Sequence, residues 1–189
     1  GSHTADALAK KGLKIRILDS LEANVHPKRA WPGYVLKKGY ELVRGTIRDA
    51  KILKSALRGV AYVYHFAAYQ DQKPDFSTFF DVNTEGTALI YELITREKLP
   101  VKKVVLASSQ FSYGDGLYTC PHMAHPFSPE LRTLKQFVKK EWDIQCPHGG
   151  MAKPLPFRES QPLNPTNSYG LSKQAMEILA MKLGKTHGI

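Results

Sequence analysis

The chain has 189 residues, of which 42% are apolar, enough for one well-buried globular domain but tight for two, so we expect a single domain. Its formal net charge is +10 and its pI is near 9.6, a balance that favours acidic partners. The lysines lie in scattered pairs, however, and no nucleic-acid-binding motif accompanies them. We therefore expect a solvated basic surface and no nucleic-acid partner.

Cysteine is rare in this chain, with only Cys120 and Cys146. A secreted scaffold stapled by disulfides is therefore not expected, and a reducing cytoplasm fits the composition. The sequence has no apolar run long enough to cross a bilayer, and its first residues lack the pattern of a signal peptide. We expect a cytoplasmic protein with no membrane partner.

Helical and extended patterns alternate along the first half of the chain. Residues 4 to 11 carry apolar side chains at helical spacing, and Gly12 stands where a left-handed cap belongs. The next residues predict a short strand that ends at Asp19, and Asp49 is a good N-cap for a later helix. Further strands are predicted at 40–43, 60–66 and 103–107, and further helices at 76–98 and 168–187.

This alternation indicates an α/β fold, a doubly wound parallel sheet (Rossmann fold) with helices on both faces, because right-handed crossovers are the common way to join parallel strands. The strand at 103–107 is apolar enough for burial on both faces. Such a sheet begins with a strand and a glycine-rich turn, whereas this chain begins with the helix that follows them. We therefore expect a partial domain over 1–189 that lacks its first strand and carries an insertion at about 115–163.

Tyr169 and Lys173 lie four residues apart in the last predicted helix. Both side chains therefore share one face, where the ammonium can favour the ionised form of the phenol. A tyrosine tuned in this way can take a proton from an alcohol and later return it. On its own, such a pair is more typical of an exposed helix surface.

Two serines, Ser108 and Ser109, close the predicted strand at 103–107. Ligands bind at the carboxyl ends of the strands in open parallel sheets. A serine hydroxyl at this position can therefore hydrogen-bond a reacting oxygen beside the tyrosine. Simple loop capping is the alternative role for both serines.

Together these segments resemble the extended short-chain dehydrogenase/reductases, the family of sugar-nucleotide epimerases and dehydratases. Gly1 matches the last glycine of the family's G-x-x-G-x-x-G turn, which argues against an affinity-tag remnant at residues 1–3. The other matching segments follow in the family's order and span nearly the whole chain: Asp19, Gly45-Thr46-Ile47-Arg48-Asp49, His65-Phe66-Ala67-Ala68, Val82-Asn83-Thr84-Glu85-Gly86-Thr87, Ser109 with Tyr113, and Tyr169 with Lys173.

The resemblance implies NAD as the cofactor, because Asp19 matches the acidic residue that binds the adenosine ribose and a carboxylate repels the 2′-phosphate of NADP. It also implies three catalytic residues: Ser109, Tyr169 and Lys173. The cofactor contacts that it implies are Gly1, Asp19, Ile47, Asp49, Phe66, Ala67, Ala68, Asn83, Ala107, Tyr169 and Lys173.

The residues after Ser109 distinguish the reactions of the family. Dehydratases carry an Asp-Glu pair there, whereas this chain has Gln110 and Phe111, and neither acts as an acid or a base. We therefore predict an NAD-dependent isomerase that epimerises C4 of a nucleotide-diphosphate sugar through a transient 4-keto intermediate. The alternatives are a dehydratase or reductase of the same family, a catalytically inactive binding fragment, and a basic nucleic-acid binder.

The insertion is similar to that of a dTDP-rhamnose 4-epimerase-like subgroup of the family. Four zinc ligands are available in it, from the set Cys120, His122 or His125, Cys146 and His148. Their spacing is irregular, so we expect an ordinary surface loop and no metal. The family also implies a homodimer formed through the helices at 76–98 and 168–187, and a carboxyl-terminal substrate domain that this chain lacks.

Overall fold

The computed structural model describes residues 1–189, and helices alternate with strands over the first half of the chain. The α-helices are α1 (Ser2–Ala9), α2 (Gly33–Leu36), α3 (Ala50–Leu57), α4 (Phe76–Phe79), α5 (Gly86–Arg96), α6 (Leu134–Val138) and α7 (Ser168–His187). The strands are β1 (Arg16–Asp19), β2 (Glu41–Arg44), β3 (Tyr62–His65), β4 (Lys103–Leu106), β5 (Tyr118–Thr119) and β6 (Lys153–Pro154). The predicted elements are confirmed to within a few residues, whereas α2, α6, β5 and β6 were not predicted.

The long strands form two parallel pairs, and this confirms the α/β class. β1 pairs with β2, and β3 pairs with β4, each in a two-stranded sheet of its own. A doubly wound sheet places its first strand between these two pairs. The two pairs are not hydrogen bonded to each other.

The prediction that the strand at 103–107 is buried on both faces is wrong. In β4, Lys103 and Val105 are exposed while Val104 and Leu106 are half-buried. β4 is hydrogen bonded to β3 alone and forms the edge of a two-stranded sheet. A run of apolar residues therefore did not predict how much of each face is covered.

The apolar core is built where α3 and α5 pack together. The Asp49 carboxylate accepts hydrogen bonds from the amides of Lys51 and Ile52, and so fixes the start of α3 as predicted. Burying one leucine or isoleucine side chain stabilises the fold by roughly 1.5–3 kcal/mol. The buried residues of this core cluster are Ile47, Leu53, Leu57, Ile90, Leu93, Ile94 and Val101.

The helix predicted at 76–98 is present, but it is not a single α-helix. Between α4 and α5 the backbone follows a π-helix over Phe80–Glu85, which adds one residue to the turn. Asn83 lies within this segment and is completely buried. π-helical turns are frequent at functional sites, so the distortion draws attention to Asn83.

The chain divides into two compact units, Gly1–Ala107 with Ala175–Ile189 and Ser108–Gln174. We call the first the sheet unit, because it holds β1 to β4, and the second the loop unit. The loop unit contains the antiparallel pair β5–β6 and the short helix α6. None of the helices in either unit has the length and apolar character needed to span a membrane.

Cys120 and Cys146 form a disulfide in the loop unit, a pairing that the sequence analysis did not predict. β5 pairs with β6, and the amide of Ala152 donates to the carbonyl of Ile144, so the segments that carry Cys120 and Cys146 lie side by side. Both cysteines are buried. The number of cysteines in a sequence indicates the redox environment of a protein. It does not indicate which cysteines the fold brings close enough to pair.

Candidate functional site

Tyr169 and Lys173 lie in the first turns of α7, within the loop unit. The Asn167 side chain accepts a hydrogen bond from the amide of Gly170 at 2.8 Å and so caps the start of the helix. Tyr169 is half-buried, whereas Lys173 is only 3% exposed. Burial lowers the pKa of Lys173 to about 8, from 10.5. A buried lysine with a low pKa is a frequent mark of a functional site.

Ser109 begins a short 3₁₀ helix, Gln110–Tyr113, in the same unit. Its hydroxyl accepts a hydrogen bond from the amide of Phe111 at 3.2 Å. The ring of Phe111 in turn packs edge-on against the ring of Tyr169, with centroids 5.7 Å apart and an interplanar angle of 76°. One residue, Phe111, therefore contacts both Ser109 and Tyr169.

Gly170 allows this close approach. A Cβ atom at Gly170 would lie 2.5 Å from the carbonyl oxygen of Phe111 and 3.0 Å from Cβ of Pro165. Any side chain at this position would thus push α7 away from the 3₁₀ helix. The amide of Asn164 also donates to the carbonyl of Ser112 at 3.0 Å, which ties the segment before α7 to the same 3₁₀ helix. The structure thus brings the 3₁₀ helix that follows Ser109 against the segment that begins α7.

Asp19 ends β1 in the sheet unit, as predicted. One of its carboxylate oxygens accepts a hydrogen bond from the amide of Leu21 at 2.8 Å, and His26 lies 3.8 Å from the same oxygen. The side chain remains 42% exposed. An accessible carboxylate at the end of a parallel strand is suited to bind the hydroxyl groups of a ribose.

Ile47 and Asp49 follow β2, and the fold already uses both side chains. Ile47 is 7% exposed and belongs to the apolar core, where it packs against Gly86. Only its main chain is therefore available to a ligand. The Asp49 carboxylate caps α3 through one oxygen, so an adenine contact would require the other.

Asn83 braces the loop that follows β3. Its side-chain oxygen accepts the amide of Tyr69 at 2.7 Å, and its side-chain nitrogen donates to the carbonyl of Tyr69 at 3.0 Å. Its own carbonyl accepts the hydroxyl of Thr87 at 2.6 Å, and that hydroxyl lies 2.8 Å from Nε2 of His65. These buried bonds link β3, the loop after it and the π-helix into one network.

The remaining predicted cofactor residues are Gly1, Phe66 and three alanines, all in the sheet unit. Phe66, Ala67 and Ala68 follow β3 and are exposed, and Gly1 is exposed before α1. Ala107 is half-buried, and its amide donates to the carbonyl of His65 at 3.3 Å. Small exposed residues after a parallel strand leave room for a dinucleotide to approach the backbone.

Sequence reasoning missed three features of these sites. It did not place Phe111 against Tyr169, did not assign a role to Gly170, and did not include His65 and Thr87 in the network of Asn83. The position of Phe111, two residues after Ser109, was the available signal for the first. Nothing local to Gly170 indicated which backbone would approach it.

A zinc site is not present among residues 1–189. The sulfur atoms of Cys120 and Cys146 are bonded to each other, which removes them as thiolate ligands. No three histidine, cysteine, aspartate or glutamate side chains are grouped so that they could hold a metal ion. The insertion is therefore held by a covalent bond between its own two cysteines.

Comparison with known proteins adds independent support for the family. A family model described as the NAD dependent epimerase/dehydratase family matches residues 1–132. The chain is 29% identical over 196 residues to a UDP-glucose 4-epimerase from Lactobacillus helveticus, covering 100% of this chain and 45% of the relative. It is 31% identical over 148 residues to sterol demethylase protein B from Methylococcus capsulatus, covering 76% of this chain and 42% of the relative.

Among solved structures, the chain is similar to a short-chain dehydrogenase/reductase superfamily protein from Agrobacterium tumefaciens with bound NAD. The TM-score is 0.68 at 25% identity, covering 100% of this chain and 43% of the other. The chain thus spans less than half the length of each of these proteins. The match to the family model covers more than half of this chain, and the chain belongs to the NAD dependent epimerase/dehydratase family.

Proposed function

We propose that this chain is the cofactor-binding part of an NAD-dependent enzyme that epimerises C4 of a nucleotide-diphosphate sugar. The observations that carry the proposal are the contacts of Phe111, whose amide bonds Ser109 and whose ring packs on Tyr169, and the burial of Lys173 one helical turn after Tyr169. The similarity to a UDP-glucose 4-epimerase supports the choice of reaction.

Tyr169 is the proposed acid and base. Its phenol oxygen takes the proton of the C4 hydroxyl and later returns a proton to the same oxygen. Lys173 is protonated at neutral pH, because its pKa of about 8 remains above 7. Its ammonium stabilises the phenolate form of Tyr169, which is present before the first proton transfer and again after the second. Ser109 holds the sugar oxygen through its hydroxyl.

The accessible carboxylate of Asp19 fits an adenosine ribose, and it favours NAD over NADP because it repels a 2′-phosphate. NAD, when bound, supplies the acceptor and donor of the hydride at C4. The proposed contacts are Gly1, Asp19, the main chain of Ile47, Asp49, Phe66, Ala67, Ala68 and Ala107, together with Tyr169 and Lys173. Asn83 is proposed to act by holding the loop after Ala68 through Tyr69.

Dehydration and net reduction are the alternative reactions within the family. Gln110 and Phe111 provide no acid or base for the elimination of water, which favours epimerisation. The similarity of the insertion to a dTDP-rhamnose 4-epimerase-like subgroup supports the same choice. An epimerase leaves its cofactor oxidised after each cycle, so substrate should cause no net accumulation of NADH. Steady accumulation of NADH would instead identify a dehydrogenase.

The test of the proposed mechanism is Tyr169→Phe in the full-length enzyme. We expect at least a hundredfold loss of turnover, because the proton-transfer group is removed while the ring that packs on Phe111 remains. Tyr118→Phe is the matched control, since Tyr118 lies in β5 and has no proposed role in the chemistry. If Tyr169→Phe keeps most of its turnover and both variants melt like the wild type, the mechanism is wrong.

We also propose a homodimer, in which α5 and α7 pack against the same helices of a second copy. Ile178 and Met181 of α7 are 49% and 71% exposed, which is the exposure expected of an apolar helix face that packs against a second subunit. A groove between α5 and α7 in the sheet unit is lined by Ala88, Tyr91, Glu92, Thr95, Arg96, Leu183 and His187. Light scattering of the full-length protein should give a dimer, and Met181→Glu should give a monomer while Lys182→Glu stays dimeric. A monomeric wild type would remove this part of the proposal.

A cytoplasmic location is the last part of the proposal, and the disulfide offers its test. Reducing compartments keep cysteines as thiols, whereas oxidising ones preserve disulfides. Alkylation of Cys120 and Cys146 at the moment of lysis should therefore trap thiols if the protein resides in the cytoplasm. Recovery of the intact Cys120–Cys146 disulfide would argue for an oxidising compartment.

A further inference from the structure

The loop unit carries an uncovered apolar surface on and around α6. The side chains of Leu134 and Val138 are the most exposed of all the large apolar residues in the chain, and the ring of Phe137 packs on that of Trp142 with centroids 5.9 Å apart. Leu134, Phe137 and Val138 share one helix face, since they are spaced three and four residues apart. Five large exposed apolar residues form this surface, which we call the α6 patch: Leu131, Leu134, Phe137, Val138 and Trp142.

The helix is held in place without the use of its apolar face. The Thr133 hydroxyl accepts the amide of Gln136 at 3.3 Å, and the Gln136 side chain accepts the amide of Thr133 at 2.8 Å, so a capping box fixes the first turn. The Arg132 side chain donates to the carbonyl of Trp142 at 2.7 Å and ties the two ends of the segment together. No residue of α6 is buried. Folding of this segment therefore leaves its apolar side chains available to a partner.

Basic side chains accompany the α6 patch. Residues 131–140 include four basic side chains and no acidic one. Carboxylates occur only beyond the ends of this stretch, and one of them, on Glu141, lies 3.8 Å from the ammonium of Lys139. Lys135 and Lys140 form no ion pair. The exposed lysines that border the patch are Lys135, Lys139 and Lys140.

We propose that the α6 patch docks on an anionic lipid surface. The apolar side chains enter the boundary between headgroups and acyl chains, while the lysine ammonium groups meet the negative headgroups. The amphipathic ring of Trp142 suits the same boundary. A symmetric contact with a second copy is disfavoured, because it would bring lysines against lysines in a chain of net charge +10.

The expectation of no membrane partner rested on the lack of a segment that could cross a bilayer. Docking on the bilayer surface requires no such segment. The proposal does not depend on the reaction that the enzyme catalyses, so lipid binding and turnover test the two proposals separately.

The first experiment measures sedimentation of the full-length protein with vesicles. Vesicles of phosphatidylcholine and phosphatidylglycerol in equal parts should bind the protein, and vesicles of phosphatidylcholine alone should bind it at least about tenfold more weakly, because the lysines lose their counter-charge. Added salt should weaken the binding to the anionic vesicles. Absence of binding to anionic vesicles at low salt would overturn the proposal without the need for any variant.

The apolar part of the contact is tested by replacing Leu134 and Val138 together by serine. Vesicle binding should fall at least about tenfold, because two apolar side chains no longer leave water. Both positions are exposed, so the substitutions remove no core packing. Leu36→Ser is the matched control, since Leu36 is a 60% exposed leucine of another short helix, α2, and should bind vesicles like the wild type. Equal binding by the double variant and the wild type would contradict the proposal.

The charged part is tested by replacing Lys135 and Lys140 together by glutamate. This change should remove the preference for anionic vesicles. Replacing Lys11 and Lys37 by glutamate alters the net charge equally at exposed positions of the sheet unit, and should leave most of the preference intact. An equal loss in both double variants would show that net charge, and not the α6 patch, attracts the protein to lipid.

Trp142 reports directly whether the α6 patch makes the contact. The chain has two tryptophans, so Trp31→Phe leaves Trp142 as the only one. Its fluorescence emission should shift to shorter wavelength when anionic vesicles are added, because the indole leaves water. Binding with no shift would place the contact on another face and reject the proposal. Loss of a dimer in the variant with serine at 134 and 138, seen by light scattering and without any lipid binding by the wild type, would instead identify the patch as a contact between subunits.

Discussion

The sheet unit and the loop unit keep their folds by different means. In the sheet unit, α3 and α5 bury leucine and isoleucine side chains in one continuous cluster that includes Leu53, Ile90 and Leu93. In the loop unit, α6 buries no residue, and its Leu134 and Val138 are 83% and 84% exposed. The loop unit relies instead on a disulfide, short β-bridges and close backbone contacts at glycine.

This difference matters for where the chemistry is placed. The predicted cofactor residues before Ser108 all lie in the unit with the large apolar core, whereas Ser109, Phe111, Tyr169 and Lys173 lie in the other. A site held by a few separate side-chain and backbone contacts can accept single substitutions without the loss of a buried apolar core. The same property means that the arrangement of Phe111 against Tyr169 depends on few contacts.

The largest effect on stability is expected from Leu93→Ala. Leu93 is 1% exposed in the centre of the sheet unit's core, and removing its side chain should cost about 4 kcal/mol in lost burial and in the cavity that remains. Leu134→Ala in α6 is the control and should change the free energy of unfolding by less than about 0.5 kcal/mol. Urea denaturation of both variants measures the difference. Equal changes in the free energy of unfolding for Leu93→Ala and Leu134→Ala would contradict the conclusion that only the sheet unit depends on a large apolar core.

The disulfide gives the next largest effect, and it should be confined to the loop unit. Replacing both Cys120 and Cys146 by serine removes a covalent link between residues 26 positions apart, worth about 3 kcal/mol. Hydrogen exchange should show faster opening between residues 115 and 163 and unchanged protection in α3 and α5. Adding a reductant should affect the wild type in the same way and leave the double variant unaltered. Thiols that stay free after the purified protein has been oxidised would refute the pairing.

The sheet unit was the more predictable part because its helices and strands repeat a pattern. The apolar positions of α3 recur at helical spacing, and Asp49 marks the first turn, so its position followed from local residues alone. The exposed face of β4 did not follow, because exposure depends on which neighbours a strand receives. The π-helix at Phe80–Glu85 was not predicted either. The spacing of apolar residues over only six positions does not distinguish a π-helix from an α-helix.

The loop unit was less predictable because its contacts join residues far apart in the chain. Ser109, Tyr169 and Lys173 were identified by motif, which reports chemistry but no distances. The packing of Phe111 on Tyr169 depends on the missing side chain of Gly170, and the disulfide depends on the pairing of β5 with β6. Neither has a periodic signature. Both arise only when the backbone is in place.

Gly170→Ala tests whether a single close contact holds the site together. The added methyl group would overlap the carbonyl of Phe111, and relieving the overlap should cost about 2 kcal/mol. Turnover of the full-length enzyme should fall by more than tenfold, because Tyr169 moves away from Ser109 and small misplacements of reacting groups are costly. Gly33→Ala is the control, since nothing lies within 4 Å of its added Cβ. A Gly170→Ala enzyme with wild-type turnover would show that the contact does not position Tyr169.

The smallest effect concerns the charge of Lys173, and here stability and activity should change in opposite directions. Burial holds its pKa at about 8 in the folded chain, against 10.5 for a free side chain. Between these values the unfolded chain binds more protons, so the contribution of this group to stability rises as pH increases from 8 to 10.5. Lys173→Met removes the buried charge and should stabilise the chain at pH 7 by about 1 kcal/mol.

The same substitution should abolish turnover, because Tyr169 loses the ammonium that stabilises its charge. Lys135→Met, at an exposed position of α6, should change neither the stability nor its pH dependence. Denaturation at several pH values between 7 and 10.5 separates the two variants. If Lys173→Met lowers stability at pH 7, the ammonium is part of the structural framework of the loop unit. If stability rises as activity is lost, the fold tolerates a buried charge that only the chemistry requires.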